Sequence, residues 1–275
     1  MAEPMPSAER SFAEQIAREL RDLVARYGAG EAEIARAYFS RPRTTQQEVT
    51  WLTIQAGREL SRVFQLWDAI AGRIGRLGEE LDRHELEALL KKLLEETRHF
   101  NLFTDILEWL RGEPVRMAEL RRYDFFRPEP AAPNNSENVR LAEINQEIDK
   151  LDEPWAELVK DQGLLEGGGC GLFYAASQIS GGELEERVAR AMRVVLEDEL
   201  RHGPLQVDEV AGRVRTPEEL EKVKAYTRLR GDQRLRWRNQ QFSYPLSDAR
   251  IREIQAGKID PLDLTTAAPA RGPRP

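Results

Sequence analysis

Along nearly the whole chain, apolar residues recur three and four apart, the spacing of amphipathic helices, and the strict alternation of half-buried strands is almost absent. Ser7 to about Tyr27 reads as one helix, with Phe12, Ile16, Leu20, Leu23 and Val24 on one side. A shorter helix covers roughly Glu31 to Phe39 and stops before Arg41-Pro42. Two long periodic segments follow, about Gln46 to Ile74 and about Arg83 to Leu110, parted by Gly75 to Glu80 and closed by Gly112-Glu113-Pro114. A third long helix is predicted from Glu153 to Ile179, before the break at Gly181-Gly182. A fourth runs from Glu183 to about His202, where Gly203-Pro204 is expected to end it.

Between the second and third of these, the Pro- and Asn-rich stretch Arg127 to Asn138 is a loop, flanked by helical pieces around Ala118 to Phe126 and Arg140 to Asp152. A basic helix covers roughly Thr216 to Gln240, and the tail from Thr265 is low-complexity and expected to be disordered. The predicted fold is therefore all-α: a four-helix bundle over residues 46–205 with a long crossover between its second and third helices. Accessory helices precede it in residues 1–45, a basic helical extension covers 206–264, and residues 265–275 form the tail.

The buried stripe of each long helix is interrupted by a glutamate. In the first, Leu52, Ala56, Val63, Leu66 and Ile70 follow bundle-seam spacing, and Glu59 takes the slot between Ala56 and Val63. In the second, Leu86, Leu89, Leu93, Phe103 and Leu110 make the stripe, with Glu96 and His99 inside it. Trp155, Val159, Phe173 and Ala176 define the third seam, with Glu166 in register. In the fourth, Leu184, Val188, Met192 and Val195 lead to Glu199 and His202.

Two of these interruptions are near copies. Glu95-Glu96-Thr97-Arg98-His99 and Asp198-Glu199-Leu200-Arg201-His202 both read acid, Glu, any residue, Arg, His, and they use two of the three histidines in the chain. Glu and His three apart project from one helix face and can hold one metal ion. A buried carboxylate costs several kcal/mol unless it is paired or bound to metal, and four converging carboxylates repel one another. Two divalent cations would neutralise them, each taking one His and shared carboxylates. Carboxylate and imidazole ligands suit iron or manganese. A ligating imidazole gives its other N–H to an outer carboxylate. Glu95 and Asp198 are placed to reach the opposite helix's His, with Arg98 and Arg201 available to pair with those acids.

This layout resembles the ferritin-like superfamily, whose pattern is Glu, Glu-x-x-His, Glu, Glu-x-x-His on four helices. The matching positions are Glu59, Glu96 with His99, Glu166, and Glu199 with His202. The fuller acid-Glu-x-Arg-His string resembles the ligand motif of bacterial multicomponent diiron monooxygenases. The resemblance covers about Gln46 to Gly203. It implies a centre of two Fe ions, with Mn or mixed Mn/Fe as alternatives, and an O₂-activating oxidoreductase acting on a small organic substrate. A manganese-catalase-like or rubrerythrin-like peroxide-consuming enzyme, and a non-catalytic iron store or ferroxidase, stay open as alternatives.

Gly167-Gly168-Gly169-Cys170-Gly171 follows Glu166, and four glycines inside a helix suggest either a pocket beside the metals, lined by Gly167, Cys170 and Phe173, or close helix packing. Tyr174 reads as core and His84 as surface. With 40% apolar and 32% charged residues and a net charge of −7, the chain fits a charge-rich helical protein and not one whose whole surface binds nucleic acid. RNA remains an alternative only at the basic helix, where Arg228, Arg230, Arg234, Arg236 and Arg238 could also dock an acidic electron-donor protein; a plain solvated face is the preferred reading there. One cysteine fits a reducing cytosol, and neither a signal sequence nor a membrane-spanning run is evident. A cytoplasmic homodimer is expected.

Overall fold

Local signals set several helix ends. The Thr44 hydroxyl accepts from the Gln47 N–H at 3.2 Å while the Gln47 side chain accepts from the Thr44 N–H at 2.9 Å, a reciprocal cap that opens a long helix. Gly112 takes φ 70°, and its N–H bonds the Glu108 carbonyl at 2.8 Å, which closes the next one. Thr216 and Glu219 repeat the capping box ahead of the basic helix, with Pro217 in its first turn.

The computed structural model describes residues 7–74, 83–160 and 163–264; the side chains of 7–11, 73, 157, 160, 163–169 and 202–206 lie outside the description. Among the described residues every regular element is an α-helix: α1 Ser7–Phe39, α2 Thr45–Ile74, α3 Arg83–Arg111, α4 Met117–Arg121, α5 Ser136–Asp149, α6 Ala156–Lys160, α7 Gly163–Ser177, α8 Glu183–Arg213, α9 Pro217–Gln241 and α10 Asp248–Gln255. The all-α prediction is met. No helix among the described residues is long and apolar enough to cross a membrane. The predicted linker at 75–80 and the tail from Thr265 lie outside the described residues.

α2 packs on α3, α3 on α8 and α8 on α7. α7 in turn packs along α1, and α9 lies against α1, α5 and α2. The main core joins Tyr38 of α1, Trp51 and Ala56 of α2, Phe103 of α3, Phe173 of α7, Met192 of α8 and Leu235 of α9. The terminal helices, expected as accessories to a bundle, therefore contribute to the same core as its four long segments.

Two helix boundaries differ from the periodic reading, both because packing overrides a local breaker. α1 runs unbroken through Gly28 and Gly30. A Cβ on Gly171 of α7 would lie 1.9 Å from the Gly28 carbonyl oxygen, so the two backbones touch there. That contact offsets the roughly 1 kcal/mol of helix preference that a glycine gives up. α8 continues through Gly203-Pro204 to Arg213, held by Val207, Val210 and Ala211 in a second core with Ile16 and Leu20 of α1. The predicted third helix is helical on both sides of residues 161–162, which lie outside the described residues; Trp155 and Val159 enter that second core while α7 enters the main one.

The basic helix is the largest departure. It lies where the sequence puts it, but Arg230, Arg234 and Arg238 are buried and not solvated, as are Leu235 and Trp237 beside them. Buried arginines need carboxylate partners. Glu31 of α1 supplies one to both Arg234 and Arg238.

Candidate metal centre

α2, α3 and α8 carry the site. Glu59 of α2 and Glu96 and His99 of α3 each offer a ligand atom within 4.8 Å of the others, and the three residues are 2%, 3% and 1% exposed. The register explains this meeting: Glu59 stands on the seam with Leu52 and Ala56, and Glu96 and His99 lead one turn on to buried Phe103. The test of fit for a metal lies in the histidine. His99 Nδ1 faces Glu96 Oε2 at 3.7 Å, too far for a hydrogen bond, and has no hydrogen-bond partner although it is buried. Its other nitrogen, Nε2, is 3.0 Å from Asp198 Oδ2 on α8. A carboxylate is acceptor-only, so Nε2 carries the proton in the neutral ring and Nδ1, on the Glu96 side, keeps its lone pair. That donor set fits a divalent cation.

The cross-bundle bond from His99 to Asp198 is the contact the spacing predicts for an outer carboxylate. Arg201 pairs with Asp198 and lies 3.3 Å from Glu95, while Arg98 stands 4.0 Å from Asp198. The side chains of Arg98 and Arg201 are 59% and 62% exposed, so this layer is the solvent side of the site. Glu199 is buried, and its charge acts on Glu59. Glu166 and His202 occupy helical positions on α7 and α8, but their side chains lie outside the described residues, so the second Glu–His half of the pattern and the Glu95–His202 pairing fall outside the description.

The electrostatics reflect crowding. Burial pushes the Glu59 carboxyl up, and the carboxylates of Glu96 and Glu199 add to this against the pull of Arg58. Burial disfavours a charged His99, yet its hydrogen bond to Asp198 and the carboxylates of Glu96 and Glu59 outweigh that and raise it to about 10. Burial likewise resists an ionised Asp198, but the His99 bond and the Arg201 and Arg98 charges hold it below the usual carboxylate range. A cation among the glutamates would take over the charge balance that a protonated His99 supplies in its absence.

Three polar side chains at the site are absent from the sequence reading. Arg58 Nη1 donates to Glu59 Oε1 at 3.2 Å, Gln55 Nε2 donates to the same oxygen, and Arg62 Nε stands 3.8 Å from Glu96 Oε1. The signal was available, since Gln55, Glu59 and Arg62 are spaced four and then three along a helix whose neighbours Leu52 and Ala56 are apolar. Cys170 and Phe173, read as lining either a pocket or a close helix contact, belong to the main core and are 1% exposed each, and Gly171 meets Gly28 in close helix packing; the side-chain surroundings of Gly167 lie outside the description. Tyr174 packs partly buried against the main core and His84 is exposed, as expected. No protein-family model matches the chain, and neither a curated protein nor a solved structure does.

Proposed function

We propose that this chain is an O₂-activating non-haem oxidoreductase that holds two Fe ions, or Mn or a mixed Mn/Fe pair, and oxidises or hydroxylates a small organic substrate. One observation carries the reading: a buried imidazole whose Nδ1 has no hydrogen-bond partner faces two buried carboxylates, while its Nε2 is anchored by a third across the bundle. The motif resemblance to ferritin-like diiron proteins adds Glu166, Glu199 and His202 as the remaining ligands.

Two redox-active ions would supply the electrons that O₂ reduction demands. The protein's own residues would do the rest. Glu59, Glu96, His99 and Glu199 bind. Asp198 holds His99 in the tautomer that leaves Nδ1 without a proton and, with Arg201 and Arg98, keeps the solvent side of the layer charge-balanced. Phe103 and the surrounding core exclude water, which strengthens every electrostatic contact inside. Arg58 and Arg62 offset carboxylate charge left over once cations are bound. An electron-donor protein would meet the part of α9 that stays at the surface, around exposed Arg228 and half-buried Arg236, and the buried Cys170 fits a reducing cytoplasm. A homodimer is the proposed assembly.

The test is to load the protein anaerobically with Fe(II), add O₂, and follow gas uptake and iron release. Uptake in fixed ratio to bound iron, with the iron retained, supports the reading. Bound iron that ignores O₂ contradicts it, as does iron mineralised and passed on, or rapid peroxide dismutation by a manganese-loaded form.

A further inference from the structure

Arg234, Arg238 and Gln241 of α9 are buried, and they converge on the α2 face that carries Glu59. Glu31 of α1 fixes the two arginines: Arg234 Nε donates to one carboxylate oxygen and Arg238 Nε to the other at 3.1 Å. With Arg238 held this way, its Nη1 donates to Gln55 Oε1 at 3.0 Å and to Gln241 Oε1 at 2.6 Å. Gln241 Nε2 donates to the same Gln55 oxygen at 3.0 Å. A guanidinium has only donors, so the amide of Gln55 must turn its oxygen towards α9. Its NH₂ is then left pointing along α2 towards Glu59, where it donates to Oε1. Arg58 donates to that same oxygen.

We infer that Arg238, Gln241 and Gln55 form a directional relay that positions the Glu59 carboxylate for its ion, an inference that rests on the metal site proposed above. These are positioning residues: none of them offers a ligand to the cluster of Glu59, Glu96 and His99. The polarity runs one way, from the Glu31-anchored guanidinium through the amide to the carboxylate. Holding Oε1 between Gln55 and Arg58 leaves Oε2 as the oxygen for metal. Outer hydrogen bonds of this kind are worth ~10–100-fold in metal affinity. The terminal helix thus becomes part of how the centre is built.

Gln55→Met keeps the length of the side chain, removes its hydrogen bonds, and leaves Arg238 bonded to Gln241 and Glu31. The full-length metal-free protein is titrated with Co(II), whose visible absorption reports each ion separately, beside thermal unfolding of the metal-free form. The relay predicts that one ion binds ~10–100-fold more weakly while the other and the unfolding midpoint stay near those of the parent. Gln241→Met, which removes one of the two donors to Gln55, should weaken the same ion by less. Parental affinity for both ions in Gln55→Met overturns the relay, as does equal weakening of both together with a lower unfolding midpoint. If Gln55→Met does not fold, Gln241→Met decides: selective weakening of one ion supports the relay, and unchanged binding overturns it. Failure of the underlying site looks different, because the parent would then take up no Co(II), or Glu96→Gln would bind it as the parent does.

Discussion

Replacing Gly171 by alanine tests the close crossing of α1 and α7. The new Cβ would sit 1.9 Å from the Gly28 carbonyl oxygen, 2.5 Å from its carbon and 2.8 Å from its Cα. Ordinary contact starts at 3.4 Å, so the helices must part locally by the 1.5 Å between 1.9 and 3.4. Overpacking of this sort costs ~1–3 kcal/mol, and a rigid helix backbone, which cannot rotate aside as a side chain can, puts the cost at the upper end. Alanine returns ~1 kcal/mol of helix preference, leaving a net loss of roughly 2 kcal/mol. At ~2–4 °C per kcal/mol for a chain of this size class, the melting temperature should fall by about 4–8 °C in a thermal scan followed by circular dichroism. Gly72→Ala is the control: nothing lies within 4 Å of its Cβ, so it should be neutral or slightly stabilising. A Gly171→Ala protein that melts at or above the parent would refute the crossing.

Asp198→Asn keeps an acceptor opposite His99 Nε2 but removes its charge, and metal affinity should drop by ~10–100-fold in a Co(II) titration; parental affinity would count against Asp198 as the group that tunes the imidazole. Glu31→Gln leaves two buried guanidiniums without their shared carboxylate, and breaking a buried pair in this way costs ~3–5 kcal/mol. Burial raises the Glu31 carboxyl, but Arg234 and Arg238 outweigh that and hold it below its ordinary 4.5. A depressed carboxyl contributes stability that is present above that pH and lost as pH falls through the lowered value. Urea midpoints from pH 7 down to 3 should therefore fall more steeply below pH 4.5 in the parent than in Glu31→Gln, and parallel curves would show that Glu31 is not the group responsible.

Much of the site was readable because seam positions are where a polar side chain is least expected. Glu59, Glu96 and His99 meet as their periodicity implies, and the acid ahead of the second motif, Asp198, reaches His99 across the bundle. Arg58, adjacent to Glu59, and Arg62, three residues on, each read as the arginine of a surface pair; the register of Gln55, Glu59 and Arg62 marks Arg62 as interior, while nothing local marks Arg58. The placement of α9 was illegible for a related reason. Five arginines in eleven residues suggest solvent, and the partner that lets Arg234 and Arg238 be buried, Glu31, lies about two hundred residues away on α1. Glycine and proline misled at Gly28 and at Gly203-Pro204, where long-range packing holds helices together through local breakers.

The central claim is that Glu59, Glu96 and His99, with their counterparts on α7 and α8, hold metal. Its most direct test is the number of divalent ions retained per chain by the purified protein after loading with Fe(II) or Mn(II) and desalting, measured by elemental analysis for the parent, Glu59→Gln and His99→Gln. Two ions per chain are expected in the parent and loss of at least one in each variant, with helical content unchanged. A parent that retains no ion, or variants that retain as much as the parent, would contradict it.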